Sequence, residues 1–394
     1  MCEAVAFETK ENILTLYLMG RIDSGNARSV DVEIHDIMEK YPEMIPVIDC
    51  TDLAYIASAG LRIILKILKT NKGLRIINVK SIVYDILDMT GFTEMAKVER
   101  AYRVLSVEGC QVIGTGANGT VYRYDPETII KVYRSSESLV EIKNERELAR
   151  RAFVLGVPTA ISYDVVKVGD CYGSVFELLN EQSLSQLIAQ DPEHLDLYVE
   201  MYTDLLKKIH AALLRPGELP DMRDRMLQWV DMIEGELPED LHEKVRKMTL
   251  AIPVDYHMLH ADYHTKNVLV QDGEPLLIDM DTLCTGHPIF ELAAMYLTYV
   301  GFDENTPENT LAFLGYPREV AGEFWKKSLA RYLDTDDADY IQSVEEKAMV
   351  LGYVRLLRRT LQKKGVNIED FETRRARCVR HLKELVPRVD SLTF

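Results

Sequence analysis

LHADYHTKNVLVQDGEPLLIDMD, residues Leu259 to Asp281, reads as a loop, a short strand, a tight turn and a second strand. His260, Asp262 and Asn267 share the loop, and Val268 to Val270 is a short apolar run. Gln271 to Glu274 (QDGE) is a turn signal, and Leu276 to Ile278 is a second apolar run that delivers Asp279 and Asp281 at its end. Such a hairpin brings three carboxylates and an amide to one edge. Hard divalent cations prefer oxygen ligands, so this grouping suits Mg²⁺ and phosphate chemistry.

Bulk properties narrow the field. A chain of 394 residues is too long for one ordinary core, and 47% hydrophobic content is enough to fold it. A formal charge of −17 argues against a nucleic-acid binder, because phosphate backbones demand a basic surface. That charge would suit a cationic small molecule, and solubility explains it equally well. The six cysteines are scattered, without CxxC spacing, a pattern of reduced thiols in a cytoplasmic protein. No apolar run approaches the roughly 20 residues of a membrane span.

Residues 1–105 read as a small α/β domain. Strands are expected at Ile13 to Met19, Ile45 to Cys50 and Leu74 to Val79. Helices alternate with them at Ser24 to Lys40, Ser58 to Leu68 and Ser81 to Met89. The stretches VIDCTDLAYIASAGLRIILKILK and SIVYDILDMTGFTEMAKV resemble the STAS domain, the anti-sigma-factor-antagonist family. The resemblance implies an interaction or regulatory module in which Ser58, at a helix N-terminus, is the phosphorylated residue. Helix N-terminal amides favour a phosphate dianion. Ala57 and Ala59 depart from the family's pattern, and on the residues alone Ser58 caps its helix.

Residues 106–180 carry VIGTGANGTVYRY, Val112 to Tyr124. A dinucleotide fingerprint needs a helix to start at the third glycine, but β-formers follow Gly119, so this is a glycine-rich hairpin. In the next strand, TIIKVY, Lys131 lies among apolar neighbours and needs an anion. A nucleotide phosphate and a glutamate of the following helix both qualify. Glu147 is the preferred partner and Glu145 the reserve. Together with His260, Asp262, Asn267 and Asp279, these residues resemble the protein-kinase-like fold, in its aminoglycoside phosphotransferase and choline kinase branch.

That resemblance implies an α+β domain with a β-rich N-lobe (106–180) and a helical C-lobe (181–394). It also implies ATP and Mg²⁺ as cofactors. Gly114, Gly116, Gly119 and Val121 would cover the nucleotide, Lys131 and Glu147 would hold its phosphates, and the segment containing Glu177 and Leu179 would meet the adenine. Asn267 and Asp279, helped by Asp281, would bind the metal, and Asp262 would orient the acceptor hydroxyl. His260 and Glu291 are expected to brace the loop. Trp229 and Trp325 lie in amphipathic helices, where packing or a pocket wall would suit them.

DMD stands where protein kinases have DFG, and only TLCTGH separates Asp281 from Pro288. Little room is left for a peptide-docking loop, which favours a small hydroxylated acceptor. A protein kinase acting on Ser58 or on another STAS serine, and a nucleotide-binding scaffold without turnover, are the alternatives.

Overall fold

The computed structural model describes residues 4–116, 118–135, 138–178, 182–305, 308–363 and 370–394. Two compact units emerge: residues 1–109 with 165–173, and residues 110–164 with 174–394. The division near residue 105 expected from the sequence therefore has an excursion, because nine residues of the second segment group with the first unit. Arg103 pairs in parallel with Val166, and the Leu105 N–H donates to the Lys167 carbonyl at 2.9 Å.

The first unit is a five-stranded sheet in the order Val5–Lys10, Ile13–Leu18, Ile45–Asp49, Arg75–Val79, Lys97–Arg100. The first pair is antiparallel and the others parallel, because helices supply the crossovers. Its core gathers Leu14, Leu16, Ile48 and Ile76 from the sheet and Ile34, Ile64 and Ile67 from the helices. The helix Ser58–Thr70 begins one residue after its N-cap, Ala57, and no side chain caps it. The capping role read for Ser58 is thus corrected: Ala57 takes the extended cap conformation, and Ser58 is the exposed first helical residue. Two residues on, a Cβ at Gly60 would stand 2.6 Å from Ile56 Cγ1, so the helix lies too close to the strand for any side chain there.

In the second unit the glycine-rich hairpin forms as read, Gln111–Thr115 with Gly119–Arg123, and Thr128–Tyr133 continues it antiparallel. The helix Leu139–Val154 follows, then the strand Cys171–Glu177. The helical part contains the long segments Leu195–Ala211, Met222–Asp231, Arg318–Leu333, Ala338–Leu361 and Phe371–Leu385. Their apolar stripes form one continuous core with Trp325 among its fully buried members. The hairpin expected from QDGE is present, with Gln271 opposite Glu274 and both Asp272 and Gly273 at positive φ (51° and 84°). Asp-Gly is the pair that this two-residue turn favours.

The three glycines of the upper hairpin are not equivalent. A Cβ at Gly119 would meet the Val132 carbonyl oxygen at 2.3 Å, whereas one at Gly116 would meet open space. Gly119→Ala is therefore expected to destabilise the second unit by about 1–3 kcal/mol. Gly116→Ala should leave the denaturation midpoint unchanged, and equal midpoints for the two variants would contradict this packing.

Candidate active site

The site starts from one buried cation. Lys131 Nζ lies 2.9 Å from Glu145 Oε1 and 3.0 Å from Asp279 Oδ1, with its side chain only 16% exposed. Burial alone would lower the lysine pKa, but the two carboxylates outweigh it and raise it. Tyr133, next but one on the strand, donates to the other oxygen of Glu145 and lies 3.4 Å from Ser174 Oγ.

The partner of Lys131 is thus Glu145, and the assignment to Glu147 is corrected. Ile142, Glu145, Ala149 and Ala152 form the buried face of their helix, at spacings of three and four residues. Glu147 is two residues off that stripe, so it points outward and pairs with Arg151 at 2.9 Å.

The lower wall is the Leu259–Asp281 stretch. Asn267 Nδ2 donates to the Asp262 carbonyl at 3.1 Å, and the Asn267 carbonyl accepts from Ile278 N–H at 2.9 Å, tying the loop to the second hairpin strand. Asp279 sits in left-handed conformation (φ 63°), which turns its carboxylate toward Lys131. Asp281 accepts from Asn118 Nδ2 at 2.6 Å, joining the glycine-rich hairpin to the lower wall.

The loop itself is clamped through its backbone. Ala261 is left-handed (φ 64°), an uncommon state for a residue with a Cβ. Buried Glu291 accepts from the N–H groups of His260 (2.6 Å) and Ala261 (3.0 Å). Thr282 donates to the His260 carbonyl (2.6 Å) and Arg355 to the Ala261 carbonyl (3.2 Å). The His260 ring takes the Asp262 N–H on Nδ1 and faces the Ile278 carbonyl with Nε2, each at 3.3 Å. Burial opposes ionisation of Glu291, but the charge of His210, 3.8 Å away, with His260 and the Ala261 N–H, holds its carboxyl below the ordinary value. Beneath the loop, Tyr202 and Tyr263 exchange side chain to backbone bonds at 3.0 and 2.7 Å.

Lys131 and its two carboxylates, with Asn118, Asp262, Asn267 and Asp281, face a cleft of about 720 Å³. Gly114, Gly116, Gly119, Val121, Lys131, Glu145, Glu177, Asp262, Asn267, Asp279 and Asp281 line it, so eleven sequence-named positions converge there, Glu145, the reserve partner of Lys131, among them. Glu147 does not, and Leu179 lies outside the described residues. Leu178 lines the cleft beside Glu177 and gives its N–H to the Glu127 carbonyl at 2.7 Å. Sequence reasoning missed Asn118, Tyr133, Ser174, Lys266 and Arg355. Tyr133 alone left a signal, since it alternates with Lys131 on one strand.

Two carboxyls shift in opposite directions. Burial pushes Asp262 up, but His264, with Nε2 3.6 Å from Oδ2, and the charges of Arg355 and His260 pull it down to about 2. Desolvation by the cleft walls and then the Asp279 charge raise Asp281 to about 6.

Residues 109–324 match the phosphotransferase enzyme family (APH), more than half of the chain. The chain belongs to this family. It is an ATP-dependent phosphotransferase, with a STAS domain matched over residues 4–103 and a kinase-like fold of sheet-rich N-terminal and helical C-terminal parts. The solved structure of ADP-bound aminoglycoside phosphotransferase APH(2'')-Ib is similar, with 14% identity, a TM-score of 0.50, and coverage of 70% of this chain and 93% of that one. A thermostable variant of aminoglycoside phosphotransferase APH(4)-Ia, in ternary complex with ADP and hygromycin B, gives 14% identity, a TM-score of 0.50 and the same coverages, 70% and 93%. A choline/ethanolamine kinase family protein from Mesorhizobium loti shares 14% identity, with a TM-score of 0.47 over 71% and 92% of the chains. A search among curated proteins found no match.

The two glutamates of the helix give a direct test of the phosphotransferase site. Glu145→Ala leaves Lys131 with one carboxylate and should lower kcat/KM about 100-fold, the equivalent of about 3 kcal/mol. Glu147→Ala should stay within about threefold, as expected for an exposed pair. A second test uses Asp281. Its carboxyl is harder to ionise folded than unfolded, so the metal-free fold loses stability as pH rises from 3.8 through about 6. Asp281→Asn should stabilise the fold at pH 7 by on the order of 1 kcal/mol, after allowing for solvent at the cleft mouth, read as a rise in Tm, and the gain should vanish at pH 4. A gain that persists at pH 4 would exclude this cause.

Proposed function

We propose that this phosphotransferase moves the γ-phosphoryl group of ATP, with Mg²⁺, to the hydroxyl of a small acceptor in a reducing compartment. What supports the reading most is the convergence of Lys131, Glu145, Asp262, Asn267, Asp279 and Asp281 on one cleft. Its apolar wall, with Val121, Phe176, Leu269 and Ile278, suits a base, and the glycine-rich hairpin above suits phosphates.

Fit to a hard cation follows from the donor set. Asn267 uses its Nδ2 on Asp262, which leaves its amide oxygen for a metal, and desolvation with the neighbouring Asp279 charge makes the Asp281 carboxylate one that a cation would relieve. Among the described residues no three His, Cys, Asp or Glu side chains cage a metal by themselves. Mg²⁺ commonly takes only one or two carboxylates and relies on phosphate oxygens for the rest. When bound, it would neutralise charge on the transferred phosphoryl group.

Lys131, fixed by Glu145, would hold the phosphates. Asp262, with a pKa of about 2, stays a carboxylate at neutral pH and accepts the hydrogen bond of the acceptor hydroxyl, aiming its oxygen at the phosphorus. It is too weak a base to remove that proton early, so positioning is its main contribution. The acceptor is small because the chain after Asp281 turns back at once. Cys284–Thr285 pairs with Met258–Leu259, and a helix begins at Ile289, leaving no peptide-docking loop. The STAS domain serves as the partner-binding module, with exposed Ser58 as its phosphorylation position.

ATP consumption with Mg²⁺ across sugars, nucleosides, amino alcohols, aminoglycosides and hydroxy acids tests the reading, with Asp262→Ala as control. Acceptor-dependent turnover that falls at least about 1,000-fold in the variant is expected. Label appearing on Ser58 with no small acceptor consumed would replace this reading by a protein kinase.

A further inference from the structure

Beside the catalytic loop, opposite in sign to the chain as a whole, stands a group of arginines. Trp229 on the helix Met222–Asp231 is 9% exposed, and two guanidinium groups of the helix Ala338–Leu361 lie over its ring, Arg358 at 4.4 Å and Arg355 at 5.7 Å. Arg225 is one turn before Trp229 on the facing helix, and its charge is felt at Arg358. Among the described residues none of the three has a carboxylate oxygen within 4.0 Å.

Their situations differ. Arg355 is committed to the loop, where it donates to the Ala261 carbonyl and feels the charges of Asp262 and Glu291. Arg358 has no such relief. Its Nε is buried without a hydrogen-bond partner, and burial together with the charges of Arg355, Arg359 and Arg225 lowers its pKa. The protein has 63 acidic residues against 46 lysines and arginines, so a carboxylate to pair with Arg358 was available in quantity. Partly desolvated like charges are costly unless an anion offsets them. A guanidinium held over an indole has less freedom to lose when its donor fork meets a carboxylate or phosphate.

We infer that Arg225 and Arg358, oriented by Trp229, form an anion subsite for the acceptor, whose class is a hydroxylated carboxylic acid or phosphate monoester. Arg355 joins the subsite to the loop, because it lies over the same indole as Arg358 and donates to the carbonyl of Ala261, the residue before Asp262. This rests on the phosphotransferase reading for the role of the bound acid, though not for its binding. The net acidity of the chain, which suits a cationic acceptor, is overruled locally by the charges that face the loop.

Binding to the full-length protein tests the subsite apart from turnover. The probes are matched sets: glycerol, glycerate and glycerol 3-phosphate; glucitol, gluconate and glucose 6-phosphate; choline and kanamycin. Calorimetry in the presence of ADP should show at least one carboxylate or phosphate binding about tenfold or more tightly than its neutral counterpart. The Arg225→Gln/Arg358→Gln protein should lose that preference while binding ADP as before, and Arg358→Lys should restore part of it. A carboxylate that binds where the phosphate does not, or the reverse, assigns the source. The inference is overturned if no anion exceeds its neutral counterpart, if choline or kanamycin binds better, or if the preference survives the double variant. Acid binding without ATP consumption would defeat the phosphotransferase role and leave the subsite standing.

Discussion

An ammonium group with little access to water cannot stand alone, and the second unit is arranged around meeting that demand for Lys131. Its two carboxylates come from different parts of the chain, Glu145 from the helix that follows its strand and Asp279 from a hairpin 148 residues later. One charge therefore fixes the rotation of the helix Leu139–Val154, the height of the strand Thr128–Tyr133 and the position of the hairpin end. Tyr133 and Ser174 extend the same network into the sheet. The Lys131–Asp279 contact is made through Oδ1 of the carboxylate.

Opposite this charge, the catalytic loop is held almost wholly through its main chain. The turn at left-handed Ala261 presents the N–H groups of His260 and Ala261 to Glu291 and the Ala261 carbonyl to Arg355, while Thr282 fixes the His260 carbonyl. Side chains on three separate elements thereby hold one peptide turn, and the Asp262 carboxylate is not among the groups that hold it. Such a loop keeps its carboxylate in place without using it for structure, which is the condition for catalysis by positioning. The same construction ties the loop, through Arg355, to the helix that carries Arg358.

Much of this was legible because the signals are local. The Asp-Gly turn, the β-formers after Gly119, the alternation of strands and helices before residue 105 and the short passage from Asp281 to Pro288 each depend on a few adjacent residues. The choice between Glu145 and Glu147 was also legible in principle, since Ile142, Ala149 and Ala152 mark the inward face, but charge on that helix drew attention away from register. Ser58 shows the converse. A serine at the start of a helix is a natural cap, yet the chain enters one residue earlier and the role falls to Ala57.

By itself the sequence determined the element order, the two-part composition and the set of oxygen and nitrogen groups available for phosphoryl transfer. These follow from periodicity and turn chemistry, which act over a few residues. Only the tertiary structure decided which glutamate meets Lys131, that Asn118 closes on Asp281, and that Arg355, 93 positions after Asp262, braces its loop. Charges and hydrogen bonds pair by distance in space, and no local pattern records which remote residue will be brought near.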